Sequence, residues 1–317
     1  MLLGAIATIV TAAVVAYLLA DRHSVDSGAQ QARALPPAAS DVASTKRTVV
    51  PAKAARPRDV PGTALWDAVM TGDTIRVAQL LSQGVDPDVI GPDGRTPLML
   101  AIAAQRADLV SLLLRYRANP NVSEADGRSA LGVAVELGAR EMVTALLQAG
   151  ASVETPPEGE LLLVTAIRAG AEEVVLDLLQ WGAPVNDASG AGDTPLVAAL
   201  TDGSVDLVEA LLAAGADATG RDGSGTSPLA MAIDSGEPRL VAALLFHGAN
   251  PDTRTDTGTV LTDAVRAGDR ESVAALLRHG ADPGIQDADG QTPLAIARAE
   301  GRSDIAALLE VAVGTAQ

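Results

Sequence analysis

Between residues 63 and 294 one pattern returns eight times, and its period constrains the fold more than any other property of the chain. The register is set by a short anchor: Thr63-Ala64-Leu65, Thr96-Pro97-Leu98, Ser129-Ala130-Leu131, Leu161-Leu162-Leu163, Thr194-Pro195-Leu196, Ser227-Pro228-Leu229, Thr259-Val260-Leu261 and Thr292-Pro293-Leu294. Successive anchors lie 33, 33, 32, 33, 33, 32 and 33 residues apart. Nine residues after each comes Gly72, Gln105, Gly138, Gly170, Gly203, Gly236, Gly268 or Gly301. A Leu pair follows, as in Leu80-Leu81, Leu146-Leu147 and Leu276-Leu277, and most copies close on a variant of Gly215-Ala216-Asp217.

Each element has a local physical reading. Thr or Ser before a helix accepts a bond from an orphan backbone N–H, and Pro at the first helical position loses no needed donor. A helix is therefore expected to start at every anchor, Thr63 included. The Gly nine residues on can take the positive φ of a tight reversal. The run VDLVEALLAAG then places Val205, Val208, Leu211 and Leu212 on one face of a second helix that Gly215 stops. The unit is a helical hairpin of about two short helices, too small to enclose a core alone, so stacked neighbours must cover it on both sides. Composition agrees. With 48% hydrophobic residues but one Phe, two Trp and two Tyr, the core must be built from Ala, Leu and Val, which suits close helix packing.

These motifs at this period resemble the ankyrin repeat. The resemblance covers residues 62–313 as eight units beginning near 62, 95, 128, 160, 193, 226, 258 and 291, with 314–317 left as a tail. It implies an all-α solenoid of stacked helical hairpins and a non-catalytic protein-binding role. Departures are visible. The family's His after Thr-Pro-Leu is replaced by Met99, Val197, Ala230 or Ala295; the fourth unit lacks the Thr-Pro cap and follows Pro156-Pro157; Gln105 and Arg117 stand where Gly is expected. The last second helix is expected to end one residue short, in VAVGTAQ.

The N-terminal fifth is different sequence. Residues 2–20, LLGAIATIVTAAVVAYLLA, carry no charge and as a helix would span about 28 Å, close to a hydrocarbon core. Residues 1–21 are expected to be a single-pass anchor or a signal segment, with the repeats on the extracytoplasmic side in either case. Residues 22–61, rich in Ala and Pro, are expected to be a disordered tether. Its Lys46, Arg47, Lys53, Arg56 and Arg58 read as solvated linker charge, with contact to anionic lipid as the alternative.

Catalytic chemistry finds no support. There is no Cys, which removes thiol nucleophiles and zinc–thiolate sites. Asp287-x-Asp289-Gly290 opens like a calcium loop but no Glu follows at the needed distance. Arg221-Asp222-Gly223-Ser224-Gly225 lacks the Gly-Lys-Ser/Thr of a phosphate cradle. Neither a cofactor nor a metal is expected. Charge excludes another class: of a net −17, residues 61–317 carry −20, which repels nucleic acid and attracts a basic or amphipathic protein partner. Acidic loop tips at Asp93, Glu124, Asp126, Glu154, Glu158, Asp222, Asp256 and Asp289 would form its rim.

The resemblance also implies where a partner lies: along the concave face, over loop tips, first helices and the residue before the Gly that closes each second helix. In this chain the last position holds Gln83, Tyr116, Ala149, Trp181, Ala214, His247 and His279. Aromatic residues and Arg are common interface anchors, so Arg115, Tyr116, Arg117 and Trp181 form the candidate patch, with His247 and His279 at equivalent positions. Trp66 is expected to pack within the first unit instead. Two partner readings remain open: the chain is a membrane-tethered, monomeric scaffold, or it is an accessory or inhibitory subunit of an enzyme acting through the same face.

Overall fold

The computed structural model describes residues 61–123, 127–154, 161–189 and 193–315. The expected anchor at 1–21 and nearly all of the expected tether at 22–61 lie outside these residues, as do the loop acids Glu124, Asp126 and Glu158. Among the described residues no helix is long and apolar enough to cross a membrane.

Sixteen helices are described, and they pair in chain order. The first members are α1 (Pro61–Thr71), α3 (Pro97–Ala103), α5 (Ala130–Glu136), α7 (Leu162–Arg168), α9 (Pro195–Asp202), α11 (Pro228–Ser235), α13 (Val260–Ala267) and α15 (Pro293–Ala299). Their partners are α2 (Thr74–Ser82), α4 (Ala107–Arg115), α6 (Arg140–Gln148), α8 (Glu172–Gln180), α10 (Val205–Ala213), α12 (Pro238–Phe246), α14 (Arg270–Arg278) and α16 (Ser303–Thr315). First helices pack on first helices of the adjoining hairpins and second on second, giving two helical layers with one continuous apolar core between them. The Leu of every anchor but the last, from Leu65 to Leu261, is at most 2% exposed. Leu294 is partly exposed; among the described residues no further hairpin packs on it.

The anchors cap as the sequence suggests, with two exceptions. Side chains of Thr96, Ser129, Thr194, Ser227, Thr259 and Thr292 accept the N–H three residues on, at 2.9–3.4 Å. Leu161 offers no oxygen, and α7 starts without a side-chain cap. Thr63 is not a cap at all. Helix α1 begins two residues earlier at Pro61, whose fixed φ suits the first helical position. The far end departs too: α16 runs 13 residues to Thr315 instead of ending early. Where six of its seven siblings have a closing Gly, it has β-branched Val313, for which the left-handed stop is strongly disfavoured, so the helix continues.

Reversal glycines take φ between +61° and +81°; Gln105, in place of one of them, is also left-handed at +53°, as is Arg117 at the close of α4 at +65°. A side chain in that region costs about 1–2 kcal/mol. Trp66 meets the expectation of local packing. It is half-buried against the first loop at Gly91, where an added Cβ would collide with the indole ring.

Asp287, the residue that resembled a calcium ligand, is buried and occupied otherwise. Its Oδ1 accepts N–H bonds from Asp289 (2.9 Å) and Gln291 (2.7 Å). Its Oδ2 takes the guanidinium of Arg266, which ties α13 to the following loop.

Candidate functional site

Every second helix with a successor ends in the same geometry. The cap residue's N–H bonds back into the last turn, the next residue turns left-handed, and the residue after it bonds to a carbonyl five positions earlier. At α4, Tyr116 N–H reaches Leu112 O and Leu113 O, Arg117 N–H reaches Leu114 O at 2.9 Å, and Ala118 N–H reaches Leu113 O at 3.0 Å. At α8 the corresponding bonds run from Trp181 to Asp177 O, Gly182 to Leu179 O and Ala183 to Leu178 O. This device satisfies the carbonyls a helix would otherwise orphan. The residue after the turn, Ala118 or Ala183, is buried, while the cap side chain is left outside.

The seven cap positions therefore form an exposed row, one per hairpin: Gln83, Tyr116, Ala149, Trp181, Ala214, His247 and His279. Tyr116 is 38% and Trp181 47% exposed. Their helices are separated by α6 alone, which at 8–10 Å per packed helix puts them about 20 Å apart. Arg115 and Arg117 flank Tyr116, both exposed and neither paired among the described residues. Arg117 holds the strained left-handed position that the other second helices give to Gly at φ +81° to +94°. His247 and His279 occupy the same caps two and three hairpins beyond Trp181, where an imidazolium also suits the helix C-terminus. The structure thus brings all six sequence-derived candidates to equivalent edges of the fold but not into one cluster.

One residue of this edge was missed from sequence. Phe246, the chain's single Phe, is 78% exposed and meets His247 edge to face, ring centroids 5.3 Å apart at 75°. In the run RLVAALLFHG it reads as one more core residue of α12; only its place in the last turn, beyond the Leu244-Leu245 pair, distinguishes it. With it, aromatic side chains stand at alternate hairpins along the row, separated by Ala149 and Ala214.

The loop acids behave less uniformly than a simple acidic rim. Asp93 accepts the N–H of Arg95, and Asp222 Oδ1 accepts from Ser224 and Thr226 within its own turn. The Ser224 hydroxyl and these N–H groups hold the Asp222 carboxyl below the usual range. Glu154, Asp256 and Asp289 are exposed. Elsewhere charges link neighbouring hairpins. Arg140 grips Asp177 through two nitrogens at 2.8 and 3.2 Å and Glu173 at 2.9 Å, joining α6 to α8. Arg106 binds Asp108 at 2.8 Å and Thr74 at 3.2 Å, and its guanidinium bond holds the Asp108 carboxyl down at about 2. Among the described residues no group of three or more His, Asp and Glu could hold a metal ion.

A family model of ankyrin repeats in three copies matches residues 65–157, 162–255 and 240–312. No curated protein matches the chain.

Proposed function

The chain belongs to the ankyrin-repeat family, and from that premise we propose that it is a non-catalytic scaffold of eight repeats, held at a membrane by residues 2–20, that binds another protein. The observation that carries the reading is the exposed cap row. Burying Tyr, Trp or Phe against a partner removes large apolar areas from water, and such side chains dominate interface energetics. A spacing of about 20 Å between them fits roughly six residues of extended chain or about thirteen of helix. Arg115 and Arg117 add donors suited to carboxylates or carbonyls of the partner. The strain at Arg117 supports a role outside the fold, since Gly would close α4 at lower cost. Over the whole array the −20 charge of residues 61–317 favours a basic or amphipathic partner and predicts an association rate that falls as salt rises.

Affinity capture with the full chain from crosslinked membranes tests this reading. One stoichiometric protein should be retained by the wild type and lost by Tyr116→Ala/Trp181→Ala. Retention of the same protein by both chains would overturn the cap row as the binding surface.

A further inference from the structure

Neighbouring linkers are tied by a recurring rung. The side chains of Asp88, Asn121, Asn186 and Asp252 each accept a backbone N–H from the next linker: Asn119 at 2.9 Å, and Ser152, Asp217 and Asp282 at 2.8 Å. Where the residue is Asn, its amide also donates across the junction, Asn121 to Gly150 O at 3.1 Å and Asn186 to Gly215 O at 3.0 Å. A carboxamide thus answers a donor and an acceptor together.

Two junctions lack the rung, for different reasons. At one, Glu154 holds the rung position and the donor position of the next linker holds Pro184, which has no N–H to offer. Thr219 occupies the rung position of the fifth-to-sixth linker but donates its hydroxyl to Asp217, in its own turn, at 2.6 Å. The groups it should meet, Asn250 N–H and Gly248 C=O, have no hydrogen-bond partner among the described residues. At this junction a cleft of about 410 Å³ opens, lined in part by Thr219, Arg221, Asn250, Asp252 and Arg254. The Arg254 guanidinium is exposed and likewise unpaired among the described residues. Exposed Phe246 lies two residues before Gly248.

We propose that this cleft receives an extended peptide segment of the partner, which inserts an Asn or Gln carboxamide where the rung is missing. The inserted oxygen accepts from Asn250 N–H and the inserted NH₂ donates to Gly248 C=O, so the partner makes the two bonds that Asn186 makes within the chain. A carboxylate fits less well, because it offers Gly248 no donor and meets Asp217 and Asp252 at like charge; the Asp217 carboxyl, hydrogen-bonded by Thr219, is held below the usual range. Arg254, which lines the cleft, supplies donors to backbone carbonyls of the same segment. This proposal rests on the scaffold reading and assigns one contact within it.

The test is a displayed random 12-residue peptide library panned on the full chain, with selected peptides then measured on two variants. Thr219→Asn builds the missing rung in place; it should raise the melting temperature by about 2–4 °C and weaken the peptides at least tenfold. Asn250→Pro copies the arrangement at Pro184, removing the donor while leaving the cleft open. It too should weaken them at least tenfold, while the melting temperature falls by about 2–4 °C, because the Asn250 side chain that accepts the Asp252 N–H at 3.0 Å is lost as well. Selected peptides should share an Asn or Gln. Peptides that share none, that share Asp or Glu instead, or that bind both variants as tightly as the wild type would overturn the cleft and leave the scaffold reading standing. A wild-type chain that retains no peptide and captures no partner would overturn both.

Discussion

The anchor leucines and the helix-closing caps come from the same 33-residue unit, yet they follow opposite rules. At the anchors one residue type recurs in every copy, and all but the last are buried to within 2%. At the caps seven positions hold five residue types, Gln, Tyr, Ala, Trp and His, and all are exposed. The difference has a physical basis. An anchor Leu faces the hairpins on either side, so any change of volume is felt by close-packed neighbours. A cap side chain points away from a backbone device that works with any residue, because its bonds are main-chain. Sequence variety there costs little stability and is available for recognition.

Breaking the first half of this comparison should give the largest effect. Leu196→Ala removes a side chain 1% exposed between two packed hairpins and should cost about 3–5 kcal/mol, measured by denaturant unfolding. Thr194→Ala leaves that packing intact but removes the bond to Val197 N–H; a loss of about 1 kcal/mol is expected. Arg117→Gly sharpens the second half. Relief of the left-handed strain should raise stability by about 1 kcal/mol, while partner affinity falls. A loss of stability would show that Arg117 holds the fold. The smallest effect concerns Asp108. Its folded pKa of about 2 lies below the unfolded value of about 3.9, so it adds stability above pH 4 that disappears as pH falls through 2. The pair is exposed and well screened. Asp108→Asn should therefore lower the melting temperature by about 1 °C at pH 7 and leave it unchanged at pH 2.

What was legible in the sequence follows the same division. Thr96, Ser129, Thr194, Ser227 and Thr292 were readable because capping, helix starts and Gly reversals depend on a few adjacent residues. Thr63 misled, because Pro61 two residues upstream is an equally good helix start and the anchor pattern hides it. Val313 stopped nothing, since a pattern aligned on its siblings' Gly does not show what happens when the stop is absent. Phe246 was hidden by its apolar character, which periodicity assigns to the core. The rungs were out of reach for another reason: Asn186 and Asp217 are 31 residues apart and belong to different units, so neither unit's own pattern requires the bond. Thr219 acquires meaning only once the rungs at four other junctions are seen.

The central claim, that the cap row binds and the anchors fold, is tested most directly by measuring thermal stability and partner affinity together on Tyr116→Ala/Trp181→Ala. The account predicts a melting temperature within about 2 °C of wild type and affinity reduced at least tenfold, or about 1.4 kcal/mol. A melting temperature that falls by 5 °C or more while affinity holds would assign both aromatics to the stack and contradict the account.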